Sequence, residues 1–336
     1  MRAGARVSRA MLVVSFGLDT PARSVLAEEL GPDVEVVALS ELNAADRHAA
    51  LRRASVLLAR NTGNELRQGE AGLLGAAKLI QFMTAGVDYI PLRALPAAVP
   101  IASNGGAYAE PMAEHALAMA LAAAKRLFIE QAELSRNVFN QFTVNRMLAG
   151  GVCGILGFGG IGVATARLMR ALGMRIHAIR RGTVAEGVDW LGTPDRLNEM
   201  LAAADVLVLS LPLTQATRGM IGARELRLMK PDAILINLAR GEIIDEDALY
   251  AHLQAAPDFT ACIDAWWVEP VRHGEFRMDR PFLQLPNVIG SPHNSASIQG
   301  WQEVALRRAA ANCARVLRGE APLYLIGEDE RLAAPG

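Results

Sequence analysis

The segment 152–162 constrains the fold of this chain more than any other part of the sequence. An apolar run at 152–156 leads directly into the pattern Gly-x-Gly-x-x-Gly at Gly157, Gly159 and Gly162, and apolar residues at helical spacing follow. A strand, a glycine turn and a helix in this order are typical of a dinucleotide-binding unit. The glycines permit a tight turn, close approach of a pyrophosphate, and close packing of helix on strand. We predict that the helix N–H groups bind dinucleotide phosphates; a glycine-rich turn in another α/β unit is the alternative.

The overall composition narrows the class of protein. A length of 336 residues predicts about two domains, and a hydrophobic content of 51% allows a sizeable core. The formal net charge of −1 provides no electrostatic basis for binding nucleic acid or a membrane surface, so we expect neither partner. The three cysteines, Cys153, Cys262 and Cys313, lie far apart in apolar segments, which indicates reduced core thiols rather than a disulfide framework or a metal site.

The N-terminal segment has two interpretations. Three arginines precede a short apolar run at residues 11–16, as in a signal peptide, but Asp19 and Pro21 follow where such a peptide would have a small-residue cleavage site. We therefore expect residues 11–16 to form a β-strand and the first ten residues to be a disordered extension. No apolar run approaches the ~20 residues that a membrane helix needs, and we expect a cytoplasmic protein.

Strand-like and helix-like segments alternate along the whole chain. The predicted strands are 11–16, 34–39, 56–59, 79–83 and 100–103 before the glycine turn, and 152–156, 174–179, 205–211, 233–237, 260–263 and 288–290 from it onwards. Such alternation indicates parallel sheets with helical crossovers. We predict an α/β protein with two doubly wound parallel-sheet domains, a Rossmann-type nucleotide domain and a flavodoxin-like substrate domain, with a cleft between them.

Several helices are predicted from caps and apolar spacing. One covers 21–30 with Thr20 as its N-cap, and a weak one covers 65–74. A longer helix at 111–126 is apolar on nearly all sides, which is typical of a helix buried between layers or against another subunit. A final helix at 302–317 is expected to cross back onto the N-terminal domain.

Two arginines end the strand that follows the glycine turn. In an NAD-binding fold an acidic residue about 20 positions beyond the glycines accepts hydrogen bonds from the ribose 2′-OH. Arg180 occupies this position and Arg181 follows it. A guanidinium cannot accept from the hydroxyl but pairs well with a 2′-phosphate. We predict a preference for NADP(H), with NAD(H) still possible; two solvated arginines at a strand end are the alternative.

Three chemically active side chains each follow a different predicted strand. Arg240, Glu269 and His293 therefore meet at the sheet edge where open α/β folds bind ligands. His293 can give a proton to a carbonyl oxygen during hydride transfer, and Glu269 can hold the imidazole in one tautomer. Arg240 offers a planar fork to a carboxylate. The set indicates reduction of a 2-oxo acid; unrelated loop residues are the alternative.

The sequence also resembles a known family, the D-isomer-specific 2-hydroxyacid dehydrogenases. The matching stretches occur in the family's order from residue 84 to 293, and their combination is far more specific than any one of them. They are 84–88 (Thr-Ala-Gly-Val-Asp), 112–115, 154–162, 211–214 with 217–219, 226–231, 236–241, 244–249, 264–270 and 291–293.

The resemblance implies roles for many residues. Arg240 would bind substrate, Glu269 would pair with His293, and His293 would be the acid/base. The N–H groups around Ala85 and Gly86 would grip the substrate carboxylate; without the resemblance, that loop could equally be an ordinary turn. The implied cofactor contacts are Gly157, Phe158, Gly159, Gly160, Ile161, Gly162, Arg180, Arg181, Leu211, Pro212, Thr217, Leu238, Ala239, Arg240, Asp264, His293, Ser295 and Ala296.

The resemblance also implies a domain organisation, and it leaves the substrate and two alternative functions open. Residues 1–104 and 294–336 would form a discontinuous substrate-binding domain around a dinucleotide-binding domain at 105–293, and the family usually forms homodimers through the latter. The substrate stays open, because 294–296 depart from the family pattern and Trp266 and Trp267 could either line the pocket or pack in the core. A dinucleotide-sensing, protein-binding module is one alternative function. Oxidation of another small anion is a second, which Glu269 disfavours because formate-oxidising relatives carry Gln there.

Overall fold

The computed structural model describes residues 9–182 and 184–333, and the chain divides into two compact units. The first unit comprises Met1–Ala107 and Gln299–Gly336, and the second comprises Tyr108–Ile298. The predicted disordered extension lies outside the described residues except at its end, where Ala10 already begins the first strand. No helix in the described part of the chain is long and apolar enough to cross a membrane.

Strands and helices alternate in both units. The strands are β1 (Ala10–Val14), β2 (Val34–Ala38), β3 (Val56–Ala59), β4 (Leu79–Phe82), β5 (Ile101–Ala102), β6 (Val152–Leu156), β7 (Arg175–Ile179), β8 (Trp190–Gly192), β9 (Val206–Leu209), β10 (Ile234–Asn237), β11 (Thr260–Ile263) and β12 (Val288–Gly290). The helices are α1 (Thr20–Leu30), α2 (Ala44–Arg53), α3 (Thr62–Glu65), α4 (Ala109–Ala124), α5 (Leu127–Ser135), α6 (Gly160–Ala171), α7 (Leu197–Ala203), α8 (Ala223–Leu228), α9 (Glu246–Ala255), α10 (Pro270–His273), α11 (Trp301–Leu317) and α12 (Glu328–Ala333).

The first unit contains a parallel sheet of five strands in the order β2-β1-β3-β4-β5. This is the flavodoxin-like order, which reverses direction beside β1. The late helix α11 packs on α1, so the C-terminal segment completes this unit. The inner strands β3 and β4 are almost wholly apolar and fully buried, as expected for strands covered on both faces.

The second unit contains a parallel sheet of seven strands in the order β12-β11-β10-β9-β6-β7-β8. Counted from β6, this is the dinucleotide-binding order 3-2-1-4-5-6 with one further strand at the edge. The predicted α/β class with two doubly wound parallel sheets is therefore confirmed. Cys153 and Cys262 are buried in β6 and β11, and Cys313 is buried in α11.

Three local predictions were wrong. The N-cap of α1 is Asp19, whose side chain accepts from the N–H of Ala22, because the helix begins one residue earlier than expected. The weak helix at 65–74 is instead the single turn α3 and a separate 3₁₀ turn further along. The apolar helix ends at Ala124, since Arg126 adopts a left-handed conformation (φ 52°) before α5 starts.

Candidate active site

The second sheet brings the predicted catalytic residues to one edge. Strands β10, β11 and β12 are neighbours, and their last residues, Asn237, Ile263 and Gly290, are aligned in the parallel register. The three loops that follow carry Arg240, Glu269 and His293. Loops that leave the carboxyl ends of adjacent parallel strands emerge on the same side, which is why the order of the sheet gathers these side chains.

Glu269 and His293 are in direct contact. Glu269 Oε1 lies 2.8 Å from His293 Nδ1, and the carboxylate side chain is only 6% exposed whereas the imidazole is 33% exposed. With Nδ1 engaged, the other ring nitrogen, Nε2, has no partner within residues 9–182 and 184–333. The pair thus presents one imidazole nitrogen outward and holds the other on a buried carboxylate.

The electrostatics of Glu269 favour its charged form. Burial raises the pKa of this carboxyl group. The hydrogen bond and charge of His293, the N–H of Trp266 and the charge of Arg240 lower the pKa, and together they outweigh the effect of burial. The net result is a pKa below the ordinary value of a glutamate. Glu269 is therefore a carboxylate at neutral pH, and the charge of Arg240 contributes to the lowering of its pKa.

The backbone of His293 adopts an unusual conformation. Its φ of 50° lies in the left-handed region, which costs free energy for any residue with a Cβ. Asp264 holds the chain around it: its fully buried carboxylate accepts from the Ser291 hydroxyl at 2.5 Å and from the N–H groups of Asn294 and Ser295 at 3.1 and 3.3 Å. Bonds on both sides of His293 thus stabilise the strained residue.

His115 approaches this loop from α4. Its Nε2 lies 3.0 Å from Ser291 Oγ and 3.8 Å from the Asp264 carboxylate. These contacts indicate a structural role for His115, since its ring supports the loop and does not contact Nε2 of His293.

The backbone around Arg240 is held by its own strand. The side chain of Asn237 donates to the carbonyl of Arg240 at 2.9 Å and accepts from the N–H of Ala239 at 3.0 Å. The guanidinium of Arg240 is partly exposed and donates to the carbonyl of Ala239 at 2.7 Å. The charged fork is therefore presented from a turn that Asn237 keeps rigid.

The two tryptophans have different surroundings. Trp266 is 4% exposed, its indole N–H donates to the carbonyl of Ser291 at 2.8 Å, and its ring packs edge-on against Phe276. Trp267 stacks on Phe282 with centroids 5.2 Å apart and donates its indole N–H to the carbonyl of Ile244. Of the two alternatives, core packing therefore describes Trp266.

Trp267 borders a cavity of strongly acidic character. The cavity, of about 530 Å³, is lined by Arg218, Gly219, Glu242, Ile244, Asp245, Glu246, Asp247, Trp267, Asp279 and Arg280. Five of these side chains are acidic and two are basic. Burial and the nearby charges of Asp279 and Asp247 raise the pKa of Glu246, as expected where carboxylates crowd together. Such walls repel a substrate carboxylate, so this cavity does not fit a 2-oxo acid.

The glycine turn has the geometry that its sequence predicts. Gly157 adopts a φ of +98°, and a Cβ there would meet the carbonyl of Ser210 at 2.7 Å. A Cβ on Gly162 would meet the carbonyl of Gly157 at 2.6 Å, whereas the space beside Gly159 is open. Gly159 begins α6 without any side-chain cap, so the first-turn N–H groups remain available for an anion. This cradle fits a dinucleotide pyrophosphate.

The remaining predicted cofactor contacts have different surroundings. Leu211 lies against Gly157, and the hydroxyl of Thr217 donates to the carbonyl of Pro212, which folds that loop on itself. Leu238 and Ala239 are buried. Near His293, the hydroxyl of Ser295 is buried without a hydrogen-bond partner in the described chain.

Arg180 and Arg181 follow β7 at the same edge of the sheet. Both side chains are exposed, and Arg180 donates to the carbonyl of Val184 at 2.9 Å. The Arg180 guanidinium also lies against Gly182, so it curls over its own turn.

Ala85 and Gly86 belong to the first unit, where they follow β4. Both are partly exposed, and their N–H groups have no acceptor within the described chain. The preceding residues are fixed by Asn104, whose N–H donates to the carbonyl of Thr84 and whose side chain donates to that of Met83. Two free N–H groups on a fixed turn can receive an anion.

Sequence reasoning missed the residues that support the site. The roles of Ser291 and Trp266 depend on contacts between different loops, which no spacing rule predicts. A usable signal was present for Asn237, because an amide side chain at the end of a buried strand needs local hydrogen-bond partners.

A family model and curated relatives match this chain over large parts of its length. The family model for the D-isomer specific 2-hydroxyacid dehydrogenase, NAD binding domain, matches residues 117–295, which is more than half of the chain. The chain is 32% identical over 299 residues to a D-3-phosphoglycerate dehydrogenase of Methanocaldococcus jannaschii, covering 88% of this chain and 55% of that one. It is 38% identical over 181 residues to a glyoxylate reductase of Thermococcus gammatolerans, covering 54% and 52%. The matches thus span about half the length of these curated relatives.

A solved structure has the same fold over its whole length. The D-isomer specific 2-hydroxyacid dehydrogenase of Xanthobacter autotrophicus, solved in complex with NADPH and MES, superposes with a TM-score of 0.77 at 25% identity, covering 97% of this chain and 100% of that one.

Proposed function

The chain belongs to the D-isomer specific 2-hydroxyacid dehydrogenase family, and we propose that it transfers a hydride between a nicotinamide dinucleotide and a 2-oxo acid or D-2-hydroxy acid. The observation that carries this proposal is the contact between His293 and Glu269 on the sheet edge that also presents Arg240. A proton donor, its charged partner and a carboxylate receptor are the groups that reduction of a 2-oxo acid requires.

The acid–base step follows from the geometry of the pair. Glu269 holds His293 Nδ1, so Nε2 is the nitrogen that donates a proton to the carbonyl oxygen of the substrate or removes it from the alcohol. The buried carboxylate stabilises the imidazolium that exists before donation. When bound, the reduced nicotinamide supplies the hydride to the carbonyl carbon.

Substrate orientation is proposed to depend on two anion receptors. Arg240 binds the substrate carboxylate and polarises the neighbouring carbonyl, and its rigid turn keeps the guanidinium in one place. The N–H groups of Ala85 and Gly86 are proposed to bind the same carboxylate. This assigns substrate binding to 1–104 with 294–336 and dinucleotide binding to 105–293.

The dinucleotide is proposed to bind along the second sheet. The turn from Gly157 to Gly162 and the uncapped start of α6 support a pyrophosphate at that position. Leu211, Pro212 and Thr217 would line the adenosine side, whereas Leu238, Ala239, Asp264, Ser295 and Ala296 would surround the nicotinamide side. The unpartnered Ser295 hydroxyl is a suitable donor for a carboxamide.

We propose NADP(H) as the preferred cofactor because Arg180 and Arg181 follow β7, where NAD-binding folds carry an acidic residue for the ribose 2′-OH. Replacing Arg180 with Ala is expected to weaken NADPH binding about tenfold or more, by loss of a charge-assisted pair with the 2′-phosphate, while NADH binding changes little. Titration calorimetry with both cofactors measures this. Equal losses for the two cofactors would contradict the assignment.

A homodimer formed through the second unit is also proposed. The segment 127–147 exposes eight large apolar side chains, Leu127, Phe128, Leu134, Val138, Phe139, Phe142, Val144 and Met147, which is unusual for a monomer's surface. Light scattering after chromatography measures the state. A Phe142→Glu variant is expected to dissociate, and a monomeric wild type would contradict the proposal.

The reaction itself is tested by absorbance at the nicotinamide band. NADPH and NADH are supplied in parallel with glyoxylate, hydroxypyruvate and larger 2-oxo acids. Oxidation of NADPH by at least one of them is the expected result. Binding of the dinucleotide without turnover of any 2-oxo acid would favour the sensing module.

A further inference from the structure

Trp266 contacts Glu269 and the loop that carries His293. Its backbone N–H donates to Glu269 Oε1 at 2.7 Å, the same oxygen that His293 Nδ1 contacts at 2.8 Å. Its indole N–H donates to the carbonyl of Ser291 at 2.8 Å, only two residues before His293. One residue thus holds the carboxylate directly and the imidazole through its loop.

The surroundings of Trp266 leave little room for movement. A Cβ on Gly241, next to Arg240, would meet the Trp266 carbonyl carbon at 2.4 Å, and a Cβ on Gly290 would meet its indole ring at 3.0 Å. The side chain is 4% exposed and packs against Phe276. In such a close-packed position a displaced indole displaces its neighbours. Trp266 therefore touches the loops of all three proposed catalytic side chains.

The loop that the indole of Trp266 contacts contains His293, a residue with a strained backbone. His293 has a φ of 50°, and a strained residue keeps such a conformation only where the surrounding contacts over-determine it. Asp264 supplies bonds to the Ser291 hydroxyl and to the two N–H groups after His293. The carbonyl of Ser291 accepts its hydrogen bond from the indole N–H of Trp266.

We propose that Trp266 is a positioning residue for hydride transfer: its indole N–H fixes the Ser291 carbonyl and so sets the position of His293 on Glu269. This inference rests on the proposed function. It assigns to Trp266 a role in the alignment of the acid–base pair, beyond its part in the core.

The chain provides a matched control in the neighbouring tryptophan. Trp266→Phe removes one indole N–H from a backbone carbonyl and keeps an aromatic ring, and Trp267→Phe does the same at the carbonyl of Ile244. Trp267 stacks on Phe282, and its indole N–H bonds outside the loops of Glu269 and His293. Both variants lose a comparable hydrogen bond, so their melting temperatures are expected to fall by similar amounts.

Steady-state kinetics over a range of pH separates positioning from packing. Misplacement of a catalytic group by about 1 Å can cost about 100-fold, so Trp266→Phe is expected to lower kcat by about 10- to 100-fold. The KM for the 2-oxo acid and the Kd for the cofactor should stay near wild type. The alkaline limb of the kcat profile should move to lower pH, because a looser carboxylate stabilises the imidazolium less. Trp267→Phe should stay within about twofold of wild type in kcat. Equal kcat and equal pH profiles for the two variants would overturn the proposal.

Hydrogen exchange gives a readout that needs no turnover. The amides of residues 291–298 are expected to exchange faster in Trp266→Phe than in wild type, and unchanged in Trp267→Phe. If the wild type reduces no 2-oxo acid, the proposed function fails. The exchange comparison still decides whether the indole of Trp266 holds the loop that carries His293. Equal exchange in this segment for both variants would overturn it.

Discussion

Two glutamates of this protein, one in each unit, are paired with cations in different ways. In the first unit, Glu70 receives two bonds from Arg47, Nε to Oε1 at 2.8 Å and Nη2 to Oε2 at 2.6 Å, and the two side chains are 0% and 6% exposed. In the second unit, Glu269 receives one bond from a histidine that is 33% exposed. Both carboxyl groups have a lowered pKa.

The difference separates a structural pair from a chemical one. Arg47 stays charged at every accessible pH, and two further N–H groups of its guanidinium donate to the carbonyls of Leu39 and Glu65, so the pair moves no proton near neutral pH. An imidazole, unlike a guanidinium, can both give and take a proton, and the His293 side chain is partly exposed. A lowered carboxyl pKa alone therefore does not identify a catalytic site; the partner's ability to titrate and its exposure do.

Replacing His293 with Ala is expected to have the largest effect. The loss of kcat should be about 10²–10⁴-fold, because no other group on the described sheet edge is placed to give the proton. Cofactor affinity and melting temperature should remain near wild type. Turnover is followed at the nicotinamide band and binding by calorimetry; retained turnover would mean that the proton comes from another group.

Replacing Glu70 with Ala should affect stability and leave chemistry unchanged. A buried guanidinium without its partner costs about 3–5 kcal/mol of unfolding free energy. Denaturant unfolding measures this loss. Glu35→Ala is the matched control in the same unit, because its pair with Arg53 is exposed and such pairs contribute only about 0–1 kcal/mol. Similar losses for both variants would contradict the structural role given to Glu70.

The contribution of the Arg47–Glu70 pair to the free energy of unfolding should also depend on pH. The hydrogen bond from Arg47 lowers the pKa of Glu70 from 4.5 to about 2. A carboxyl group whose pKa is lower in the folded state than in the unfolded state stabilises the folded protein while it is ionised. The contribution of Glu70 is therefore full above about pH 4.5, the unfolded-state pKa, and is lost as the pH falls towards 2. The shift corresponds to about 3 kcal/mol. Glu70→Gln should flatten the fall of unfolding free energy in this window; an unchanged slope would show that other groups cause it.

Replacing Glu269 with Gln should produce the smallest of these effects. The amide can still contact His293, but the charge that stabilises the imidazolium is gone. We expect kcat to fall roughly 10- to 100-fold, less than on loss of the whole acid–base group. The alkaline limb of the pH profile should move to lower pH. An unchanged profile would show that Glu269, like Glu70, has only a structural role.

Local patterns were sufficient to predict the fold class and to place Arg240, Glu269 and His293 after neighbouring strands of one sheet. The glycine turn, the apolar strands and the polar residues after them follow rules of short range, so the α/β class was predicted correctly. The helix α2 and the strand β8 were missed, because α2 is rich in charged residues and β8 has only three residues.

The supporting contacts of the site could not be predicted in the same way. Trp266 meets Ser291 across 25 positions, and Asp264 meets Ser291 across 27. Such contacts depend on how two loops pack after the sheet has formed. A tryptophan in the sequence offers no indication of whether its indole N–H faces a substrate or a backbone carbonyl, which is why both interpretations of Trp266 stayed open.

We propose direct hydride transfer to a 2-oxo acid with stereochemical control. It is tested most directly by supplying NADPH with deuterium on the transferable position and a prochiral 2-oxo acid such as hydroxypyruvate, and analysing the product by chiral chromatography and mass spectrometry. The account predicts a D-2-hydroxy acid with one deuterium on C2. An unlabelled product, a racemic or L product, or no product with any 2-oxo acid would contradict it.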